Sequence, residues 1–231
     1  ALLGALPMPA QVDQHHRKAG LVQLIGKVAP EDIVPVTDQF VGVGDAPAGS
    51  IDGSMGDVHP YGNPHFWFTR ENVEIVVRNI TAGLIRVDPE GAGTYEQNRD
   101  RYLEKLKAAF HDLKAKMRPF QGTPVLQYHA SWDYFCEAMG LEIVGSLEPK
   151  PGIPPTPGHL RQVVEQARAR KARLILVEPY YPKRPVRFVE ERAGVEALRL
   201  PLYLGGEKGI DTYLDNLRYI VETIVAELEK G

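Results

Sequence analysis

Cysteine is nearly absent from this sequence: Cys136 is the single one in 231 residues. No internal disulfide can form, and a zinc cluster built on cysteines is excluded. Charge of either sign is not in excess. Lys and Arg number 27 against 30 Asp and Glu, a formal net charge of -3, with a pI near 6.2. That leaves no basic footprint for nucleic acid or an anionic membrane surface. No apolar run approaches the ~20 residues of a membrane-spanning helix, so direct membrane insertion is not expected. Familiar catalytic loops are missing too. Val41–Pro47 lacks the third glycine and the following helix of a dinucleotide loop, and Gly205–Gly209 has no Ser or Thr after Lys208 to complete a phosphate loop. No Gly-x-Ser-x-Gly elbow supports a serine hydrolase.

What is present is ordinary for a globular chain, with 43% hydrophobic and 25% charged residues. The first ten residues, Ala1–Ala10, read either as the end of a secretory apolar region with a small-residue cleavage site or as an ordinary apolar strand or loop. No lipobox cysteine lies near this start. Residues 1–64 are irregular, and only Arg17–Gly26 has a helical pattern. Gly42–Asn63 is loop chemistry throughout, rich in Gly, Pro, Asp and Ser.

Order begins at Thr69, a capping residue before a helical period that runs to Leu84. A long helix is predicted from Thr94 to Met117, stopped by Pro119. Beyond Gly122, strands are predicted at 124–128, 141–147, 174–177 and 196–202. Helices alternate with them at 132–139, 158–170, 184–193 and 212–230. Strands this apolar, alternating with helices, predict an α/β fold with a parallel sheet covered on both faces.

Three segments concentrate chemistry. Asp57–Trp67 places His59 and His65 on a loop braced by Pro60 and Pro64; Tyr128–Asp133 puts His129 at a strand's C-terminal end; Val177–Tyr181 puts Glu178 at an equivalent end. Ligands of open α/β sheets gather at those ends, and imidazoles with one carboxylate suit zinc. Plainer readings exist for each. His59 could cap its own turn, His65 could pack beside Trp67, His129 could be a hydrogen-bonded strand-end histidine, and Glu178 could pair with Lys183 or Arg184 across a solvated loop.

Asn63-Pro-His65-Phe-Trp67 resembles the Asp-Pro-His-x-Trp segment of the zinc- and manganese-binding solute-binding proteins of ABC importers. Tyr128–Phe135 resembles that family's Phe-His-Asp-Ala-Phe-x-Tyr-Phe. Glu148–Pro157, Leu176–Pro179 and the closing Asp211–Tyr219 helix extend the similarity over about residues 50–231. The resemblance implies a periplasmic or extracytoplasmic protein that is not an enzyme. It would hold Zn2+, or alternatively Mn2+, in an interlobe cleft and deliver the ion to a membrane ABC permease. The implied fold is two parallel-sheet lobes joined by a long rigid helix. Here that means a partial N-terminal lobe over 1–91 with the metal-binding loop, a connecting helix over 92–118, and a C-terminal α/β lobe over 119–231.

By resemblance His65 and His129 are ligands. The family's first-lobe His-x-x-Glu-Pro segment is not found, so that lobe is expected to be incomplete. The family's last ligand, an aspartate, falls near Leu204–Gly206, where this sequence has none. His59 and Glu178 are the nearest substitutes, with Glu207 behind them. Two rivals stand beside this reading. One is a metal-dependent hydrolase with the three histidines as ligands and Glu178 or Asp133 as base. The other is a shortened paralogue that keeps the fold without binding metal.

Overall fold

The structure, a computed structural model, describes residues 63–230. His59, the predicted helical stretch Arg17–Gly26, and the Gly42–Asn63 loop apart from Asn63 itself lie outside the described residues.

The chain enters through a single 3-10 turn, Phe66–Phe68, and then helix α1, Arg70–Val87. Thr69 starts α1 because its hydroxyl accepts from the Asn72 N–H, satisfying one of the amides a helix start leaves open. Val73, Val77 and Thr81 recur at helical spacing and are buried. Asp88 closes the helix and accepts from the hydroxyl of Tyr95 at 2.6 Å. A Cβ on Gly91 would stand 2.6 Å from both the Asp88 carboxylate and the Tyr95 ring, so only glycine fits beneath that bond.

Helix α2, Ala92–Met117, is unbroken over 26 residues, about 39 Å at ~1.5 Å per residue. It starts two residues before the predicted Thr94. Its buried residues (Leu106, Ala109, Phe110, Leu113 and Met117) all lie in the second half. It packs against α1, against α3, Asp133–Met139, and against α6, Tyr213–Leu228. An ion pair between Lys116 and Glu222 ties α2 to α6.

Four strands follow: β1 Pro124–Gln127, β2 Glu142–Ser146, β3 Leu174–Val177 and β4 Glu196–Arg199. They form one parallel sheet in the order β2-β1-β3-β4. Between them run α4, Pro157–Arg170, and α5, Lys183–Ala193. Side chains alternate across the sheet. Val125, Leu174, Leu176 and Leu198 join α1, α2, α3 and α6 in one core. Leu126, Ile175 and Val177 join α4 and α5 in the other. Both faces are covered, which is why the strands read as continuous apolar runs.

Three strands are shorter than predicted. β1 ends at Gln127 rather than 128, although the Tyr128 amide still bonds to the Leu176 carbonyl. β2 stops one residue short at each end, although Leu141 and Leu147 are buried. β4 ends at Arg199 rather than 202 because β3 ends at Val177: the Leu200 amide takes the last ladder bond, to Val177, and Pro201 then turns the chain.

Helix α3 follows β1 on one face and α5 follows β3 on the other, so the winding reverses between these neighbouring strands. The crevice beyond their C-terminal ends is where a sheet of this kind receives a ligand.

Candidate metal centre at the strand ends

His129 and Glu178 are the residues that leave β1 and β3 at that reversal. The backbone carries them there directly: the Tyr128 amide still bonds to Leu176, and Leu200 to Val177, so each side chain sits one step beyond the ladder. Glu148 leaves β2 in the same way, its amide bonded to the Tyr128 carbonyl. Three neighbouring strands thus deliver one histidine and two carboxylates to one edge.

His65 arrives from the other direction, on the segment before α1. Phe68 stacks on Trp132, with ring centroids 5.7 Å apart, and meets Phe135 edge-on at 5.6 Å. The Tyr213 hydroxyl donates to the Trp67 carbonyl, and Asn72, fully buried, donates to the Phe66 carbonyl. Asn63, 3% exposed, donates to the Ala130 carbonyl at 2.7 Å and to the Asp133 carboxylate at 3.2 Å. Pinned by these contacts, the His65 ring lies 5.5 Å from the His129 ring between centroids, at 74°.

His65 also lies 5.5 Å from Trp67, so packing beside the indole, the plainer reading, holds as well. His129 is indeed hydrogen-bonded, through Nδ1 to Glu148 Oε2 at 2.7 Å. The same oxygen accepts from the Gly152 amide at 3.0 Å.

Glu178 does not pair with Lys183 or Arg184. It is fully buried, and neither carboxylate oxygen makes a hydrogen bond of good geometry, the Ser131 hydroxyl offering only a partial one. Burial pushes its carboxyl above the ordinary range; Ser131 and the charge of His129 pull the other way, and Glu148 adds to the rise. A bare carboxylate away from water is costly unless it is protonated or meets a cation. Its main chain is held by Arg199, whose guanidinium donates to the carbonyls of Pro179 at 3.2 Å and Tyr181 at 3.1 Å.

Asp133 is partly buried, which raises its carboxyl, against the lowering effect of Gln127, His129 and Asn63. Tyr181 stacks on Tyr128 at 4.0 Å and lies 6.2 Å from the His129 ring. Burial, first of all, and the two glutamates push its phenol far upward.

Among the described residues no group of three or more His, Cys, Asp or Glu side chains is gathered as a ready metal site. The structure brings His65 and His129 together and places Glu178 at the adjoining strand end. His59 lies outside the described residues. Glu207 is exposed, as are Tyr203 and Leu204 beside it.

Glu148 and Asn63 carry contacts that sequence reasoning did not assign. A signal for Glu148 existed: Leu147-Glu148-Pro149 repeats the strand-end pattern of Val177-Glu178-Pro179. No helix among the described residues is long and apolar enough to cross a membrane.

Several known proteins are similar to this chain in sequence or fold. The high-affinity zinc uptake system protein ZnuA of Brucella suis biovar 1 is 28% identical over 170 residues, covering 72% of this chain and 50% of ZnuA. The manganese-binding lipoprotein MntA of Halalkalibacterium halodurans is 30% identical over 175 residues, covering 73% of this chain and 58% of MntA. The chain therefore spans about half the length of the curated relatives it matches.

A cadmium-bound periplasmic metal binding protein from candidatus Liberibacter asiaticus shares the fold with a TM-score of 0.68 at 22% identity, covering 95% of this chain and 86% of that one. The SBP FpvC from Pseudomonas aeruginosa, solved with Ni2+, gives a TM-score of 0.64 at 26% identity, covering 74% and 64%. Residues 6–227 match the family described as zinc-uptake complex component A, periplasmic. This chain belongs to that family of metal-binding solute-binding proteins of ABC importers, which are not enzymes.

Proposed function

We propose that this chain captures a transition metal outside the cytoplasm and delivers it to the membrane permease of an ABC importer. The ion is held by His65 and His129, with Glu178 as an oxygen ligand and His59 as a further nitrogen ligand. In this reading residues 1–91 and 119–231 contribute two lobes and residues 92–118 the stiff helix between them, so capture involves only small lobe movements.

The observation that carries the reading is the pair of histidine rings with centroids 5.5 Å apart. Two imidazoles sharing one tetrahedral ion at ~2.0–2.1 Å hold their centroids roughly 5 Å apart. The buried carboxylate of Glu178 at the neighbouring strand end, with no hydrogen bond of good geometry, supports it, because a divalent cation is what would offset that charge.

Zinc is the proposed ion. Imidazole nitrogens favour zinc, manganese prefers oxygen donors, and zinc binds a given mixed site more tightly in the general order of divalent metals. The relatives are named for both zinc and manganese, so manganese is the alternative cargo. Metal analysis of the purified protein, with calorimetric titration of the stripped protein by zinc and by manganese salts, tests this. One equivalent of zinc bound more tightly than manganese is expected; tighter manganese would exchange the cargo, and binding of neither would end the reading.

A further inference from the structure

Asn63 is a small neutral residue placed where the two histidine segments meet, and its four contacts determine its orientation. Its Nδ2 donates to the Ala130 carbonyl at 2.7 Å and to the Asp133 carboxylate at 3.2 Å. Its Oδ1 accepts from the His65 amide at 2.9 Å and lies 2.8 Å from His65 Nδ1. A side-chain amide is often ambiguous between its two ends. Here it is not, because a backbone carbonyl on one side can only accept and a backbone N–H on the other can only donate. Oδ1 is therefore an acceptor, and His65 Nδ1 must carry the proton. The ring's one in-plane lone pair then belongs to Nε2.

We infer that Asn63 is a positioning residue of the metal centre, which locks His65 as the Nδ1–H tautomer with Nε2 as its donor atom and clasps the His65 segment to the residue beside His129. The inference rests on the proposed metal-capture reading. The same logic holds at His129, whose Nδ1 faces a Glu148 oxygen that already accepts from Gly152. The two histidines are thus matched in tautomer but held by different acceptors, an amide and a carboxylate. Metal-bound histidines are commonly oriented through their second nitrogen in this way. What Asn63 adds is the bridge: one side chain, 3% exposed, sets the tautomer of the first histidine and the distance to the second.

The test is nitrogen-15 NMR of the imidazoles in the metal-stripped protein at about pH 8, above the ordinary histidine range. The His65 signals are assigned by their loss in His65→Ala. The parent protein should show His65 as Nδ1–H, whereas a histidine in water favours Nε2–H. In Asn63→Ala, His65 should revert toward Nε2–H, and zinc affinity should fall ~10–100-fold.

A parent His65 that is Nε2–H overturns the inference, and this readout stands even if Asn63→Ala does not fold. An Asn63→Ala protein with unchanged tautomer, or with unchanged zinc affinity, also overturns it while leaving metal capture intact. A parent that binds no zinc would end the metal reading instead, and the tautomer measurement would still judge the role of Asn63.

Discussion

Burying Glu178 with no hydrogen bond of good geometry loads the metal-free protein with a charge it solvates poorly, and two measurable effects follow. Its carboxyl is raised in the folded state, so the unfolded chain releases that proton at lower pH than the folded one. Stability is therefore greatest below the ordinary carboxylate range and is lost as pH rises through the raised folded value. Asp133, also raised, contributes a slope of the same sign. Thermal melts of the metal-free Glu178→Gln variant should exceed the parent, by a margin that widens from about pH 5 to about pH 8. The same variant should be stabilised less by added zinc. A margin that does not change with pH would mean that Glu178 is already compensated without metal.

The second residue-scale expectation concerns Glu148. In the proposed centre it acts only through its hydrogen bond to His129, so Glu148→Gln should weaken zinc binding ~10–100-fold while leaving the melting temperature of the metal-free protein nearly unchanged. Titration and melting of the same sample check both halves. His65 and His129 were legible as candidates because each lies in a motif. The roles of Glu148 and Asn63 were not. Glu148 meets His129 because β2 lies beside β1, and Asn63 meets Ala130 and Asp133 because the segment before α1 docks on the loop after β1. The strand-end pattern marked Glu148 as a candidate, but neither pairing is written in a local pattern.

At the scale of elements, helix α2 divides into unequal halves. Its buried face begins at Leu106, and the turns before it present mostly exposed side chains. Phe110→Ala should cost about 3–5 kcal/mol in denaturant unfolding, while Glu96→Ala should stay within about 0.5 kcal/mol. Equal costs would contradict the packing. The helix itself was readable from its unbroken period and from Pro119, and it begins earlier than predicted because Asp88 and Tyr95 close the preceding turn around Gly91. β3 was readable to the residue because it is buried along its whole length. The end of β4 was not: Leu200 and Leu202 are as buried as a strand would be, but ladder pairing stops where β3 stops, and apolar pattern reports burial rather than pairing.

For the molecule as a whole, metal and fold are coupled by mass action. An ion that binds only the folded chain stabilises it by about 2.7 kcal/mol when present at 100 times its dissociation constant. Zinc should therefore raise the melting temperature and a chelator should return it to the starting value.

The most direct measurement is a zinc titration of the His65→Ala, His129→Ala double variant beside the parent protein. The parent should bind one equivalent of zinc. The double variant, with both nitrogen donors gone from the strand-end crevice, should bind more than ~100-fold more weakly, since even an orienting contact is worth ~10–100-fold. A double variant that binds zinc as tightly as the parent would show that the ion is held elsewhere and that these two rings are neighbours for another reason.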